Sequence, residues 1–468
     1  MPVRTSIILF LTAFFLLRLI GITNPPLEVE HNWRQTTVAM VARNFVEVDA
    51  NPLYPRIDIA GEKTGITGME FPLLNYLIYL VSLLFGYEHW YGRLINLVVS
   101  TIGCFYFFKL IREYWSDQMA LRATMLLTFS IWFEFSRKIM PDTFSMSLII
   151  IALYWAVRFT KRTNFAWKEL ALFACFASLG VLSKIPSGYL LAVLAFVVFD
   201  TSQPLQKRGA LTVAGVVAMV PAVWWYFYWS PHLVDTYGFT HFFSGRSWGT
   251  GIRQIGENLH MTLKKFYDTA LKFSGFALFL WGAYKSVVSG KKDVLPLFLL
   301  ANAAFLIIVF KSGSAFPKHS YYIIPFVPVM AWIAAYGLEF IPRKWAMALV
   351  VVVGIEGIAN QQHDFRIKES EMALMNLEND LDKFTETADL VLINSGQLPT
   401  PMYIAHRKGW VMSNEEIMHT DTLQKQIDRG LQVIVILKKS YGTEMVPPLG
   451  TRVLNNDDYA IYRVGKEH

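Results

Sequence analysis

Two cysteines in 468 residues leave no disulfide framework to build, and charged side chains make up only 17% of the chain. Cys104 and Cys175 both fall in apolar runs, so they read as core residues and give no zinc or paired-thiol motif. There is no Walker loop, no dinucleotide glycine motif, no HExxH and no GxSxG. No repeat at a period of roughly 20–50 residues is present either. These absences argue against an ATP-driven pump.

What fills the chain instead is apolar. Hydrophobic residues make up 54% of it, and runs of near-spanning length recur from residue 5 to about residue 360. Such runs predict a polytopic helical membrane protein, because a β-barrel would show short alternating segments. The first run, Ser6 to Thr23, follows Arg4 and lacks a small-residue cleavage site, so it reads as an uncleaved span. The net charge of +7 does not point to nucleic acid, since most basic residues sit in short loops between spans.

The expected spans are 5–23, 93–111, 119–137, 142–160, 169–184, 186–200, 210–229, 269–286, 294–311, 320–340 and 343–360, about eleven in all. The segment FPLLNYLIYLVSLLFG (71–86) is not counted among them. As a helix it reaches roughly 24 Å, short of a hydrocarbon core of about 30 Å. Charge decides more firmly than length. With 71–86 left out, Arg4, Lys161, Arg162, Lys168, Lys207, Arg208, Lys285, Lys291, Lys292, Arg343 and Lys344 share one face, which the positive-inside rule makes cytoplasmic. The segment 71–86 then reads as a helix on the outer surface. Residues 24–92, the turn 137–142, the turn near Lys184, the loops 230–268 and 311–320 and the C-terminal tail all share the outer side. After Asn360 charge rises. DLVLINS (389–395), LQVIVIL (431–437) and YAIYRV (459–464) look like strands, with helical patterns at 368–384 and 414–429 among them. The fold expected is an all-α polytopic membrane domain, 1–360, followed by a small soluble α/β domain, 361–468.

The unusual polar residues gather on that outer side. Glu28, Glu30, His31 and Arg34 follow Pro25 and Pro26, and Val38, Val41, Ala42 and Phe45 predict a helix over 33–47 lying on the membrane. Glu70 precedes Phe71-Pro72; RKIMPDTF places Arg137, Lys138 and Asp142 at a tight turn; Lys184 stands between two apolar runs; FPKHSYYIIP holds Lys318, His319 and Tyr321. Each has a plain structural reading. Glu28, Glu30, Glu70 and Asp142 suit helix starts, and His319 and Tyr321 suit an interfacial aromatic belt. Lys184 is harder to dismiss, since an ionisable residue at membrane depth is a functional hypothesis by default. Together they offer cations for a phosphate, carboxylates for general-base work on a hydroxyl, and carboxylates with imidazole that suit a divalent metal.

The first outer loop running into WRQTTVAMVARNF, then EFPLLNYLIYLVSLLFG with Arg93, MPDTF, LSKIPSG and HSYYIIP, resembles the C-type superfamily of integral-membrane glycosyltransferases. Their order over about residues 5–340 is nearest the branch of the aminoarabinose lipid A transferase and the protein O-mannosyltransferases. The resemblance implies two juxtamembrane helices in the first outer loop, here 33–47 and 71–86. It implies a polyprenyl-phosphate sugar donor and transfer to a hydroxyl of a lipid, glycan or protein at the outer face of a bacterial cytoplasmic membrane. Glu30 matches the base, with Glu28 and His31 as alternatives because the acid is displaced from the helix start. Asp142 matches the acid of the second outer loop. Arg93 and Lys184 match positions near the carrier phosphate, joined by Arg34, Lys138 and Tyr321. Glu70 matches a metal-ligand position, and His319 is the imidazole expected to join it on a divalent ion. A glycan polymerase or ligase, a lipid-linked sugar flippase and a non-catalytic scaffold are the competing readings.

Overall fold

The computed structural model describes residues 3–241, 245–290 and 293–464, the side chain of Arg4 excepted. Lys291 and Lys292, assigned above to the basic face, lie outside the described residues, as does part of the 230–268 loop. Two compact units result. One comprises Met1–Ile22, Arg93–Tyr228 and Phe242–Phe365; the other comprises Thr23–Gly92, Trp229–His241 and Arg366–His468.

The first unit is helical. Among the described residues, five helices of the chain are long and apolar enough to cross a membrane: Tyr91–Arg112, Pro141–Lys161, Leu205–Tyr237, Val294–Ser312 and Ser320–Leu338. The polytopic helical class therefore stands, while the figure of eleven spans does not follow from helix length. Several expected spans are interrupted. The run 119–137 breaks into Asp117–Phe129 and Trp132–Phe135. The run 186–200 becomes a 3₁₀ segment, Ile185–Leu194, followed by one turn at Ala195–Val198. The run 320–340 opens as a 3₁₀ segment, Ser320–Phe326, before Val327–Leu338. Pro186 and Pro325 lie in the two 3₁₀ segments, where a missing N–H and a fixed φ disfavour the ordinary α-helical ladder. A 3₁₀ run of 10 residues is long for that geometry.

Lipid as solvent explains the exterior. Val213, Val216, Val217, Val220 and Val223 on Leu205–Trp224 are exposed, the reverse of a water-soluble surface. Inside, small residues set the helix spacing. A Cβ on Gly282 would lie 1.9 Å from the Ile333 carbonyl oxygen, so Lys272–Val288 and Val327–Leu338 touch backbone to backbone. Cys104 is buried as expected, but Cys175, read as core, is on the exterior of its helix.

In the second unit the two first-loop helices run Asn32–Glu47 and Leu73–Phe85. The second has 13 residues, roughly 20 Å, too short for a span. Its Leu83, Leu84 and Phe85 are exposed. Asn32–Glu47 does not lie on a surface by one stripe, because Arg34 to Phe45 are all buried. Phe45 packs edge-on to Tyr76, while Arg43 donates to the Tyr403 carbonyl at 3.0 Å, so the helix is covered from both sides. The tail forms a five-stranded sheet in the order β2-β1-β3-β5-β4, with β1 Leu390–Ile393, β2 Lys408–Val411, β3 Leu431–Leu437, β4 Thr451–Asn455 and β5 Tyr459–Arg463. β1 is parallel to β2 and β3; β5 is antiparallel to β3 and β4. The helical patterns appear as Glu369–Leu374, Leu377–Leu381, Asn414–Met418 and Thr420–Asp428, the third opened by a Ser413–Glu416 capping box. Within 230–268, read as a loop, the described residues hold helices Ser230–Tyr237, Trp248–Glu257 and Leu259–Lys264.

Candidate functional site

In the first unit the polar residues converge at the starts and ends of irregular segments. Asp142 stands in the first turn of Pro141–Lys161, and its carboxylate accepts from the Lys184 ammonium. Lys184 closes helix Trp167–Ser183 in an extended conformation, just before the 3₁₀ segment. Its ammonium lies 4.7 Å from the centre of the Tyr321 ring. That ring stacks on His319 at 5.3 Å. Asp142, Lys184, His319 and Tyr321 are thus brought together from three elements. The turn before Asp142 is clamped by Asn96, whose side-chain amide donates to the carbonyls of Phe135, Lys138 and Met140 at 3.1, 2.8 and 3.2 Å. Its oxygen accepts from Ser100 and Thr143. Nothing in the sequence reading picked out Asn96; an amide inside an apolar run was the available signal.

The other cations of this unit have different surroundings. Lys138 is 1% exposed and pairs with Glu134 at 3.3 Å and with Asp364. Two carboxylates on one ammonium leave it no net positive charge to present to a phosphate. Arg93 is fully buried and donates to the Ile22 carbonyl at 3.2 Å. Arg137 donates to the Ile20 carbonyl at 2.7 Å and lies over the Phe365 ring at 4.1 Å. Arg18, missed in the sequence, bonds Ser136 and lies over Phe14 at 3.6 Å. An arginine within the first apolar run was a readable sign.

In the second unit Arg34 bonds Glu70, with both side chains largely buried. His241 completes this cluster. The backbone N–H of His241 donates to the Gly68 carbonyl at 2.7 Å, and that of Gly68 to the Phe239 carbonyl at 3.0 Å, which pins 239–241 along 67–68. Its Nδ1 lies 3.1 Å from the Thr67 hydroxyl. Burial, reinforced by the Arg34 charge and opposed by Glu70, pushes the His241 imidazole down to about 4, so it is neutral near pH 7. No sequence signal marked His241, whose position depends on that backbone pairing.

The candidates for the base differ in access. Glu28 is buried and accepts from the Gln35 amide at 2.5 Å. The Glu30 side chain is 45% exposed, 3.9 Å from the His31 Nε2. His31 adopts a left-handed conformation, φ 57°, immediately before Asn32–Glu47. That conformation costs a non-glycine residue roughly 1–3 kcal/mol and is characteristic of functional turns.

A metal is poorly served by these donors. Among the described residues no three His, Cys, Asp or Glu side chains form a group able to hold one. Glu70 is occupied by a guanidinium, which places positive charge where a cation would sit, although its Oε2 is buried without a hydrogen bond.

Residues 70–227 match the family model described as dolichyl-phosphate-mannose-protein mannosyltransferase. Among curated protein sequences none matches the chain. Among solved structures the chain is similar to ArnT from Cupriavidus metallidurans bound to undecaprenyl phosphate, at 12% identity and TM-score 0.64, covering 99% of this chain and 100% of that one. It is similar to the Archaeoglobus fulgidus oligosaccharyltransferase at 14% identity and TM-score 0.57, covering 92% of this chain and 69% of that one. It is also similar to the mycobacterial arabinofuranosyltransferase AftD at 11% identity and TM-score 0.62, covering 99% of this chain and 40% of that one. The chain therefore shares its fold with these three structures, and the family-model match covers residues 70–227.

Proposed function

We propose that this chain, carrying a C-type glycosyltransferase fold, transfers a sugar from a polyprenyl-phosphate donor to a hydroxyl of a lipid, glycan or protein acceptor. The observation that carries the reading is Lys184: a buried ammonium on Asp142, above the Tyr321 ring, where a helix gives way to a 3₁₀ segment. A cation at membrane depth needs a partner. Its link to Asp142 leaves further N–H donors for a second anion, and a carrier phosphate is such an anion. The family-model match over 70–227 and the lipid-phosphate named with the ArnT structure support the same donor class.

In this proposal Lys184 and Arg93 hold the donor phosphate, while Arg34 stays paired with Glu70. Negative charge grows on that phosphate as the anomeric C–O bond breaks, and cations already in place stabilise it more in the transition state than before. Glu30 takes the proton of the acceptor hydroxyl as its oxygen bonds the anomeric carbon. The polyprenyl phosphate leaves from the opposite side, which inverts the centre. Asp142 sets the Lys184 ammonium and orients the acceptor. Lys138 stays with Glu134 and Asp364 as a structural cluster. Residues 1–360 form the transferase domain and 361–468 an outward-facing domain, with the reacting groups on the outer side of a bacterial cytoplasmic membrane.

The test is to incubate the purified chain in vesicles with radiolabelled polyprenyl-phosphate sugar and crude envelope acceptors. One sugar per acceptor supports the proposal. Chain growth identifies a polymerase, movement of label across the bilayer without transfer identifies a flippase, and neither identifies a scaffold.

A further inference from the structure

A cavity of about 620 Å³ is lined wholly by residues of the first unit, Lys184 and Asp142 not among them. That volume is in the range of ligand sites, roughly 300–1,000 Å³. Its mouth lies where three candidate spans begin or end: Lys161 is the last residue of Pro141–Lys161, Tyr114 and Trp115 follow Tyr91–Arg112, and Asp293 precedes Val294–Ser312. Helix ends with tyrosine and tryptophan mark headgroup level. The deeper wall is apolar, with Leu153, Leu190, Leu194, Leu297 and Val329.

One wall residue is left incomplete. Trp332 lines the cavity at 5% exposure, and its indole N–H has no hydrogen-bond acceptor. Indole can only donate, so the missing partner is an acceptor oxygen reaching into an apolar pocket. An ester carbonyl of a lipid is such a group. The mouth carries both signs. The Lys161 ammonium bonds the Glu113 carbonyl and its carboxylate and lies 4.3 Å from the Tyr114 ring centre. With three N–H donors, it keeps one for a phosphate. The lining also holds Asp200, whose carboxylate accepts the Ser202 backbone N–H at 2.9 Å, and Asp293, which makes no capping bond.

We infer that this cavity binds phosphatidylethanolamine. One acyl chain lies along the apolar wall, an ester carbonyl accepts from Trp332, the phosphate meets Lys161, and the ammonium meets Asp293. Among the described residues lining the cavity, one cation and two carboxylates match a zwitterionic head with N–H donors better than an anionic head or a choline. Lys291 and Lys292 precede Asp293 in the sequence, so an anionic lipid is the competitor to be tested. The wall residues Leu190 and Leu194 belong to the 3₁₀ segment that starts beside Lys184. A bound chain therefore supports an element that is otherwise weak in hydrogen-bond geometry. The inference does not depend on the transferase reading.

Native mass spectrometry of the full chain, delipidated and then exposed to equal amounts of dioleoyl phosphatidylethanolamine, phosphatidylglycerol and phosphatidylcholine, tests it. At least fivefold preferential retention of phosphatidylethanolamine is expected. Trp332→Phe and Asp293→Asn, both monodisperse, are each expected to lower that retention at least fivefold; Leu194→Trp, which fills the cavity, should do the same. Equal retention of the three lipids, preference for phosphatidylglycerol, or unchanged retention in Trp332→Phe and Asp293→Asn would overturn it.

Discussion

Lys184 and Asp142 form a buried pair, and a buried pair answers mutation in a characteristic way. Lys184→Met removes the ammonium from the buried Asp142 carboxylate, at a cost of about 3–5 kcal/mol, and should lower the thermal midpoint of the purified protein. The double variant Lys184→Met with Asp142→Asn removes both charges and should recover most of that stability. Transfer should not return with it, because the lost cation is the one that meets the donor phosphate. Recovery of both would make the pair structural only. Glu30 and Glu28 separate in the same manner. Glu30→Gln should slow transfer by roughly 10²–10⁴-fold, the usual worth of a general base, with an unchanged thermal midpoint, since that side chain is 45% exposed. Glu28→Gln disturbs the bond to Gln35 and should act on stability first. At this scale Lys184, Asp142 and Tyr321 were legible because each is a polar or aromatic residue at the edge of an apolar run. His241 was not. It reaches Arg34 and Glu70 only through the pairing of 239–241 with 67–68, which no local pattern announces.

At the scale of elements, helix Asn32–Glu47 is held by its neighbours in the second unit rather than by its own caps. Its last residue, Glu47, meets His406 Nε2 at 3.0 Å, and Glu378 meets His406 Nδ1 at 2.6 Å. Those two carboxylates, Glu378 first, raise His406 to about 9. A raised pKa adds stability that is complete below the unfolded value near 6.5 and is lost as pH climbs through 9. His241 runs the other way. Its lowered pKa, about 4, gives stability that is complete above 6.5 and is lost as pH falls toward 4. Hydrogen-exchange protection in the second unit is therefore expected to peak near pH 6.5. His406→Gln should flatten the alkaline side and His241→Gln the acid side; a profile that neither variant alters would contradict both assignments. The short helix over 73–85 was legible from its length and from the charge of later loops. Three strands were readable as apolar runs, but β2 (KGWV) and β4 (TRVLN) were not, because edge strands are short and mixed in polarity.

For the whole molecule, the likeness in fold to ArnT over 99% of the chain agrees with motifs whose order, not their individual strength, carried the signal. The count of spans was less legible. Hydropathy sees apolar runs, but Ile185–Leu194 and Ser320–Phe326 are apolar 3₁₀ segments that composition alone does not separate from a spanning α-helix. The grouping of the first outer loop with the tail in one unit was also hidden, since contacts between residues hundreds of positions apart leave no periodicity. Reporter fusions at Asp142 and at His319 are expected to be active outside the cytoplasm, and fusions at Lys161 and Arg343 inside it. The inverse pattern would remove the outer-face reading. The most direct measurement is the rate at which label moves from a polyprenyl-phosphate sugar to an acceptor hydroxyl in vesicles holding wild type or Glu30→Gln. Wild type should form labelled acceptor and free polyprenyl phosphate in equal amounts, with the variant near background. Equal rates for the two proteins, or no labelled acceptor with wild type across a broad set of envelope acceptors, would contradict glycosyl transfer with Glu30 as base.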